Sequence, residues 1–322
     1  MRSRLDRAAV PLLSVVFVPL WASGFIAGKL ATQRMDVATT LLWRFVVAAL
    51  VMGVVVALTR PARPRGRAWL HLVVTALLLQ VGQFSAVYSG LSLGVSAGLS
   101  SLVLGMAPLL VGLLTPVLLA ERLGVAPVLG LVIGAAGVYV VLSDELGGGR
   151  LGVAVVLPVL GMLALTAGTL YQKRFGADTA ISMSVTVQML TSLAVLLVVM
   201  PFTGAQWLPP TFGAWAAAIW LGVFNSALAF AAMFVLLRRV STVHVSALLN
   251  LVPATVAFGA VPILGEALTP QAVIGLGIAL VGMYVGLGML GRRSARPEVP
   301  HEDRERYGSA LTSASTRTRG PV

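Results

Sequence analysis

Apolar residues fill this chain in runs of about 20, long enough as helices rising ~1.5 Å per residue to cross a ~30 Å hydrocarbon layer. Polar residues collect in the short gaps between them. The pattern predicts spans at 9–30, 37–58, 69–91, 95–119, 125–142, 151–173, 180–200, 214–237, 242–264 and 270–290. The gaps carry turn chemistry or charge: two prolines within 59–67, three consecutive glycines within 144–150, and prolines at both ends of 201–210. Beyond Gly291 the composition turns to Arg, Glu, Ser, Thr and Pro, so 291–322 is expected to be a disordered tail.

The pattern also repeats. Shifting residues 96–142 by 145 positions places Ser96, Pro108, Glu121, Leu123, Gly130, Gly137 and Tyr139 on identical Ser241, Pro253, Glu266, Leu268, Gly275, Gly282 and Tyr284. The front parts match more loosely at an offset of 144, where Gly24 and Lys29 meet Gly168 and Lys173 and Arg44 falls on Gln188. Two copies follow, 9–142 and 151–290, behind a short N-terminus, 1–8. Five spans per copy is an odd number, so the copies must face opposite ways across the bilayer. The expected fold is an all-α integral membrane protein of ten transmembrane helices arranged as two inverted five-helix repeats.

Composition narrows the function classes. With 58% hydrophobic and 11% charged residues and a mean hydropathy of +0.95, lipid is the solvent for most of the surface. Absent cysteine removes disulfides and thiolate chemistry. The net charge of +12 lies in loops and the tail without aromatic interleaving, which points to membrane orientation and away from nucleic acid. With the N-terminus inside, 19 Lys and Arg fall on the cytoplasmic side and three, Lys29, Arg34 and Arg150, outside, with Arg44 within a span. Both termini are therefore expected in the cytoplasm, in a multi-pass protein of the cell inner (plasma) membrane.

All eleven acidic residues are expected at helix ends, in loops or in the tail, and His71, His244 and His301 are scattered. No mid-membrane carboxylate pair, metal site or Walker-type phosphate loop is legible, so no cofactor and no intramembrane enzyme is expected.

Arg44, near mid-helix, costs about 2.5–3.5 kcal/mol on insertion scales, so it must face a cavity or a partner. It reads either as a contact for a substrate carboxylate or as a structural arginine bonded to carbonyls or snorkelling outward. Gln80, Gln83 and Tyr88 share one side of the third helix, and Asn225 and Ser226 lie in the eighth, its counterpart. Such side chains avoid lipid and either line a pathway or bond between helices. Asn250 replaces Gly105 three residues before the repeated proline and is placed to meet freed backbone or a ligand. Pro108 and Pro253 remove one backbone bond at equivalent points of the fourth and ninth helices and bend them, which suits rocking. Gly130 with Gly134 and Gly282 with Gly286 permit close backbone contact.

Lys29 and Glu266 are expected at the outer ends of their helices, and Lys173 and Glu121 at the cytoplasmic ends. Each side thus owns one lysine and one glutamate from opposite copies, which reads as a gating pair or as interfacial snorkelling.

These residues carry a resemblance to the EamA-type family of the drug/metabolite transporter superfamily over roughly 9–290: Trp21, Gly24, Phe25 and Lys29, then Trp43-Arg44-Phe45, then Ser96, Pro108, Glu121-Arg122-Leu123, Gly130, Gly134 and Gly137. Ser241, Pro253, Glu266, Leu268, Gly275 and Gly282 repeat the pattern. The resemblance implies a central cavity formed by the first, third, fourth, sixth, eighth and ninth helices, with Trp21 beside it, and export of amino acids or other small metabolites. The reading is a secondary carrier exporting small metabolites by alternating access, with a small-molecule substrate and the lipid bilayer as partners, no nucleic acid, as a monomer or homodimer. A membrane enzyme acting on lipid or polyprenyl carriers and a non-transporting sensor are the rival readings.

Overall fold

A computed structural model describes residues 2–118, 125–147, 152–176, 179–240 and 242–293. They form helical rods in the order α1 (Arg2–Thr32), α2 (Val37–Thr59), α3 (Ala68–Ala76, a π-helical stretch Leu77–Gly82, then Gln83–Ser92) and α4 (Ala97–Gly105 and Ala107–Leu118). After these come α5 (Val125–Gly147), α6 (Val156–Phe175, led by a 3-10 turn Gly152–Val155) and α7 (Ile181–Thr203). Last are α8 (Phe212–Trp220, a π-helical stretch Leu221–Leu228, then Ala229–Arg239), α9 (Thr242–Asn250 and Val252–Leu264) and α10 (Pro270–Arg293). No strand occurs among the described residues.

Eight stretches of these rods are long and apolar enough to cross a membrane, and Phe212–Leu228 and Pro270–Gly286 are shorter apolar helices. Large apolar side chains such as Leu50, Val54 and Leu58 on α2 and Val198 and Phe202 on α7 face outward, as expected where the surroundings are hydrocarbon.

The ends follow from local chemistry. Ser96 caps α4 by accepting from Leu99 N at 2.9 Å. Thr211 does the same for α8, accepting from Ala214 N at 3.2 Å. Gly204 and Gly265 close α7 and α9 with φ of 66° and 68°, a conformation that needs no Cβ. Both repeated prolines sit in the first turn of a new helical segment. The breaks fall at Met106 and Leu251, two residues upstream of Pro108 and Pro253, because the ring excludes the helical ladder on its N-terminal side.

Corresponding helices of the two copies pack on each other, α2 against α7 and α5 against α10. The α5–α10 contact is nearly bare backbone. A Cβ on Gly130 would stand 2.5 Å from Gly286 Cα, one on Gly137 2.4 Å from Ala279 N, and one on Gly282 2.4 Å from Gly134 N. Across this seam no larger residue fits without separating the rods.

Two expectations change. Residues 144–147 continue α5 and do not belong to a turn, because the carboxylates there are anchored: Asp144 accepts from the Thr269 hydroxyl at 2.5 Å and Glu145 from Ser96. Arg2–Ala8 and Gly291–Arg293, expected outside the spans, extend α1 and α10. Beyond Arg293 the tail lies outside the described residues.

Candidate functional site

The centre of the bundle is polar and closed. Arg44, two turns into α2, is 1% exposed. Its Nη1 donates to the hydroxyl of Tyr88 on α3, and its Nη2 donates to Asn225 Oδ1 on α8 at 2.9 Å. The Phe84 ring, one turn before Tyr88, covers the guanidinium with its centroid at 3.7 Å. Asn225 Nδ2 in turn donates to the Trp21 carbonyl of α1 at 3.2 Å. Four helices therefore meet at one cation.

Glycines make the meeting possible. A Cβ on Gly24 would lie 2.3 Å from Asn225 Nδ2, and one on Gly28 2.9 Å from Tyr88 Cε1. The Trp43-Arg44-Phe45 run divides its labour. Trp43 packs edge-on against Trp215 with centroids 4.4 Å apart and donates to the Trp207 carbonyl at 2.8 Å, while Phe45 is fully buried in the core.

A second polar contact joins α3 to α7. Gln80 Nε2 donates to Gln188 Oε1 at 3.3 Å, and Gln188 Nε2 donates to the Ser184 hydroxyl at 3.1 Å. The repeat offsets equate Gln188 with Arg44 and Gln80 with Asn225, so this pair is the copy-exchanged counterpart of Arg44 with Asn225. Gln80 and Asn225 each lie in a π-helical stretch, 77–82 and 221–228. Such stretches recur at functional sites because the extra residue per turn re-aims side chains.

Trp21, Arg44, Tyr88 and Asn225 thus converge, Gln80 joins Gln188, and Gln83 is buried on α3. Asn250 is half-buried and ends the first segment of α9, beside the break at Leu251. Gly105, its counterpart, faces Pro253 across the α4–α9 contact.

At the end of the bundle that holds the α1–α2 turn, Lys29 Nζ donates to the Leu91 and Val95 carbonyls at 2.8 and 2.7 Å. Glu266 Oε1 accepts from Ala97 N at 2.9 Å, and Glu145 accepts from the Ser96 hydroxyl. The cation covers carbonyls where α3 ends, and the carboxylates cover N–H groups where α4 begins, the signs that the helix dipoles favour. Lys29 and Glu266 therefore bond to different parts of the same 91–97 segment, joined there by Glu145, which the hydropathy pattern leaves in a loop. Lys173 is exposed at the end of α6, and Glu121 lies outside the described residues. A cavity of about 500 Å³ opens at the Lys29 end, lined by Thr32, Arg34, Asp36, Ser92 and Gln206.

Phe84, Glu145 and the Gln80–Gln188 contact do not stand out in the chain. The four-residue spacing of Phe84 and Tyr88 and the match of Gln188 to Arg44 are the signals available for two of them.

The model of the EamA-like transporter family matches residues 9–143 and 152–287. The chain is 27% identical over 289 residues to a "Probable terminal-alkyne amino-acid exporter" of Streptantibioticus cattleyicolor, covering 87% of this chain and 94% of the relative. It is 24% identical over 295 residues to a "Probable amino-acid metabolite efflux pump" of Salmonella typhimurium, covering 88% and 97%. A solved crystal structure shares the fold at a TM-score of 0.64 with 20% identity, over 90% of this chain and 99% of that one. With its apolar helices and two matched stretches, the chain is a multi-pass membrane protein belonging to the EamA-like transporter family.

Proposed function

We propose that the protein is a secondary carrier exporting small metabolites, amino acids among them, across the inner membrane by alternating access between two inverted five-helix copies. The observation that carries this reading is the closed polar centre: Trp21, Arg44, Tyr88 and Asn225 from four helices, with Gln80 and Gln188 as the counterpart contact in which the two copies exchange places. A lipid-surrounded bundle gains nothing in solubility from such groups, whereas a pathway for a polar solute requires them. Export follows the naming of the two relatives. Ten spans with both termini in the cytoplasm follow from the arginine-rich loops.

In this scheme Lys29 with Glu266 and Lys173 with Glu121 are the outer and inner gating pairs, and Pro108 and Pro253 are the points about which α4 and α9 bend. Gln83 and Asn250 line the same pathway. Purified protein in liposomes, assayed for counterflow with radiolabelled amino acids and metabolites, tests the reading. Saturable exchange is the expected result; flux no greater than in protein-free liposomes sinks it. Reporter fusions at the two ends test the topology and must place both in the cytoplasm.

A further inference from the structure

The Arg44 guanidinium is buried among neutral groups. A hydroxyl, an amide oxygen and an aromatic ring surround it, and among the described residues no carboxylate bonds it. Its Nε–H, also buried, has no acceptor among the described residues. An uncompensated cation inside a bundle is strongly disfavoured, and removal of a partner from a buried ion pair is among the most damaging changes a core suffers.

The architecture does not demand that charge. At the equivalent point of the other copy, Gln188 is equally buried, meets the corresponding helix through an amide, and is neutral. A glutamine is therefore enough for packing at this position. What a guanidinium adds is a planar fork of N–H donors that fits a carboxylate two-pronged.

We propose that Arg44 is a carboxylate receptor held shut by internal surrogates. In the closed state, the Tyr88 hydroxyl and the Asn225 amide oxygen supply the acceptors that a substrate carboxylate supplies when it binds, and the Nε edge awaits the charged ligand. The proposal rests on the carrier reading and narrows its substrates to solutes bearing a carboxylate.

The surroundings allow the exchange. Asn225 sits within the π-helical stretch of α8, where an irregular ladder lets a side chain re-aim at low cost. Gly24 and Gly28, one turn apart, leave the facing strip of α1 bare where Asn225 and Tyr88 now rest. A solute displacing either side chain meets backbone there and no side chain. Tyr88 corresponds to Met233 and Phe84 to Ala229 in the other copy, so the receptor is built on one side only.

The test uses full-length protein in lipid nanodiscs with the proteinogenic L-amino acids and short 2-keto and 2-hydroxy acids as probes. Each responding acid is paired with its carboxamide and with the amine that lacks the carboxyl group. Melting temperature and tryptophan fluorescence report binding. Some acids are expected to raise the melting temperature while their amides and amines do not. Arg44→Gln abolishes the response and Arg44→Lys weakens it at least tenfold. Asn225→Ala and Tyr88→Phe lower the melting temperature of the empty protein yet tighten acid binding severalfold, because the competing acceptors are gone. A merely structural cluster would lose stability and affinity together.

The proposal is overturned if no acid binds, if amides bind as well as acids, or if Arg44→Gln still responds. Liposome counterflow is scored separately. Acid binding without flux sinks the carrier reading alone, and Arg44-independent flux of amines sinks the carboxylate receptor alone.

Discussion

Gln80 bonds Gln188 at 3.3 Å as the copy-exchanged counterpart of Asn225 against Arg44, so one duplicated contact between the copies survives as two amides at one point and as a cation with an amide at the other. Both glutamines are buried, and Gln80 Oε1 has no partner among the described residues. Gln188→Leu strands the Gln80 amide and is expected to destabilise by about 1–3 kcal/mol, whereas Gln80→Leu combined with Gln188→Leu recovers much of the loss. Thermal unfolding of the four proteins in one detergent measures the coupling. Strict additivity would mean that the two side chains do not interact.

Gly24 is the tightest point of the central cluster, since any Cβ there would overlap the Asn225 amide. Gly24→Val is expected to push Asn225 off Arg44 and to reduce counterflow at least tenfold while the protein still inserts. Gly53, where an added Cβ would meet nothing within 4 Å, gives the control, and Gly53→Ala should transport normally. Equal transport by both variants would remove Asn225 from the pathway.

The seam between α5 and α10 offers a stability test. Gly282→Leu drives a side chain into the Gly134 backbone 2.4 Å away and is expected to separate the rods, costing several kcal/mol and monodispersity on size-exclusion chromatography. Gly277→Leu, on the same helix with open space around it, should elute and melt like the parent protein.

Lys29 covers two carbonyls, so Lys29→Met leaves both without their cation. It should lower the melting temperature more than Glu266→Gln, which forfeits one charge-assisted bond to Ala97 N. Because the chain has no cysteine, cysteines introduced at 29 and 266 report on each other alone. Oxidative crosslinking that arrests turnover supports an outer gate, and turnover undiminished by a complete crosslink refutes it.

Pro108→Ala together with Pro253→Ala restores the missing backbone donors next to the breaks at Met106 and Leu251. Straighter α4 and α9 are expected to slow exchange severalfold with ligand affinity unchanged. An altered affinity with an unaltered rate would assign the prolines to the binding site instead.

Much of this is written in the chain. Hydrophobic run length marks the rods, and the shared Ser96 and Ser241, Pro108 and Pro253, and the glycines of α5 and α10 announce the duplication. Arg44, Tyr88 and Asn225 each stand out by polarity inside an apolar run, but nothing in the sequence says that they touch. That requires the crossing of α2, α3 and α8, fixed by Gly24 and Gly28 on a fourth helix. The π-helical stretches are equally silent, since an extra residue in a helical turn leaves no mark on hydropathy. Glu145 is misplaced by the sequence pattern because three glycines after it read as a turn, whereas its bond to Ser96 holds the helix one turn longer.

The glycine contact between α5 and α10 has a mechanical corollary. Side chains that interlock can re-rotate and let two rods slide, but main chain pressed on main chain has no such slack. In the proposed carrier cycle, this contact is the fulcrum on which one half of the molecule tilts against the other, a pivot set by the smallest side group in the genetic code.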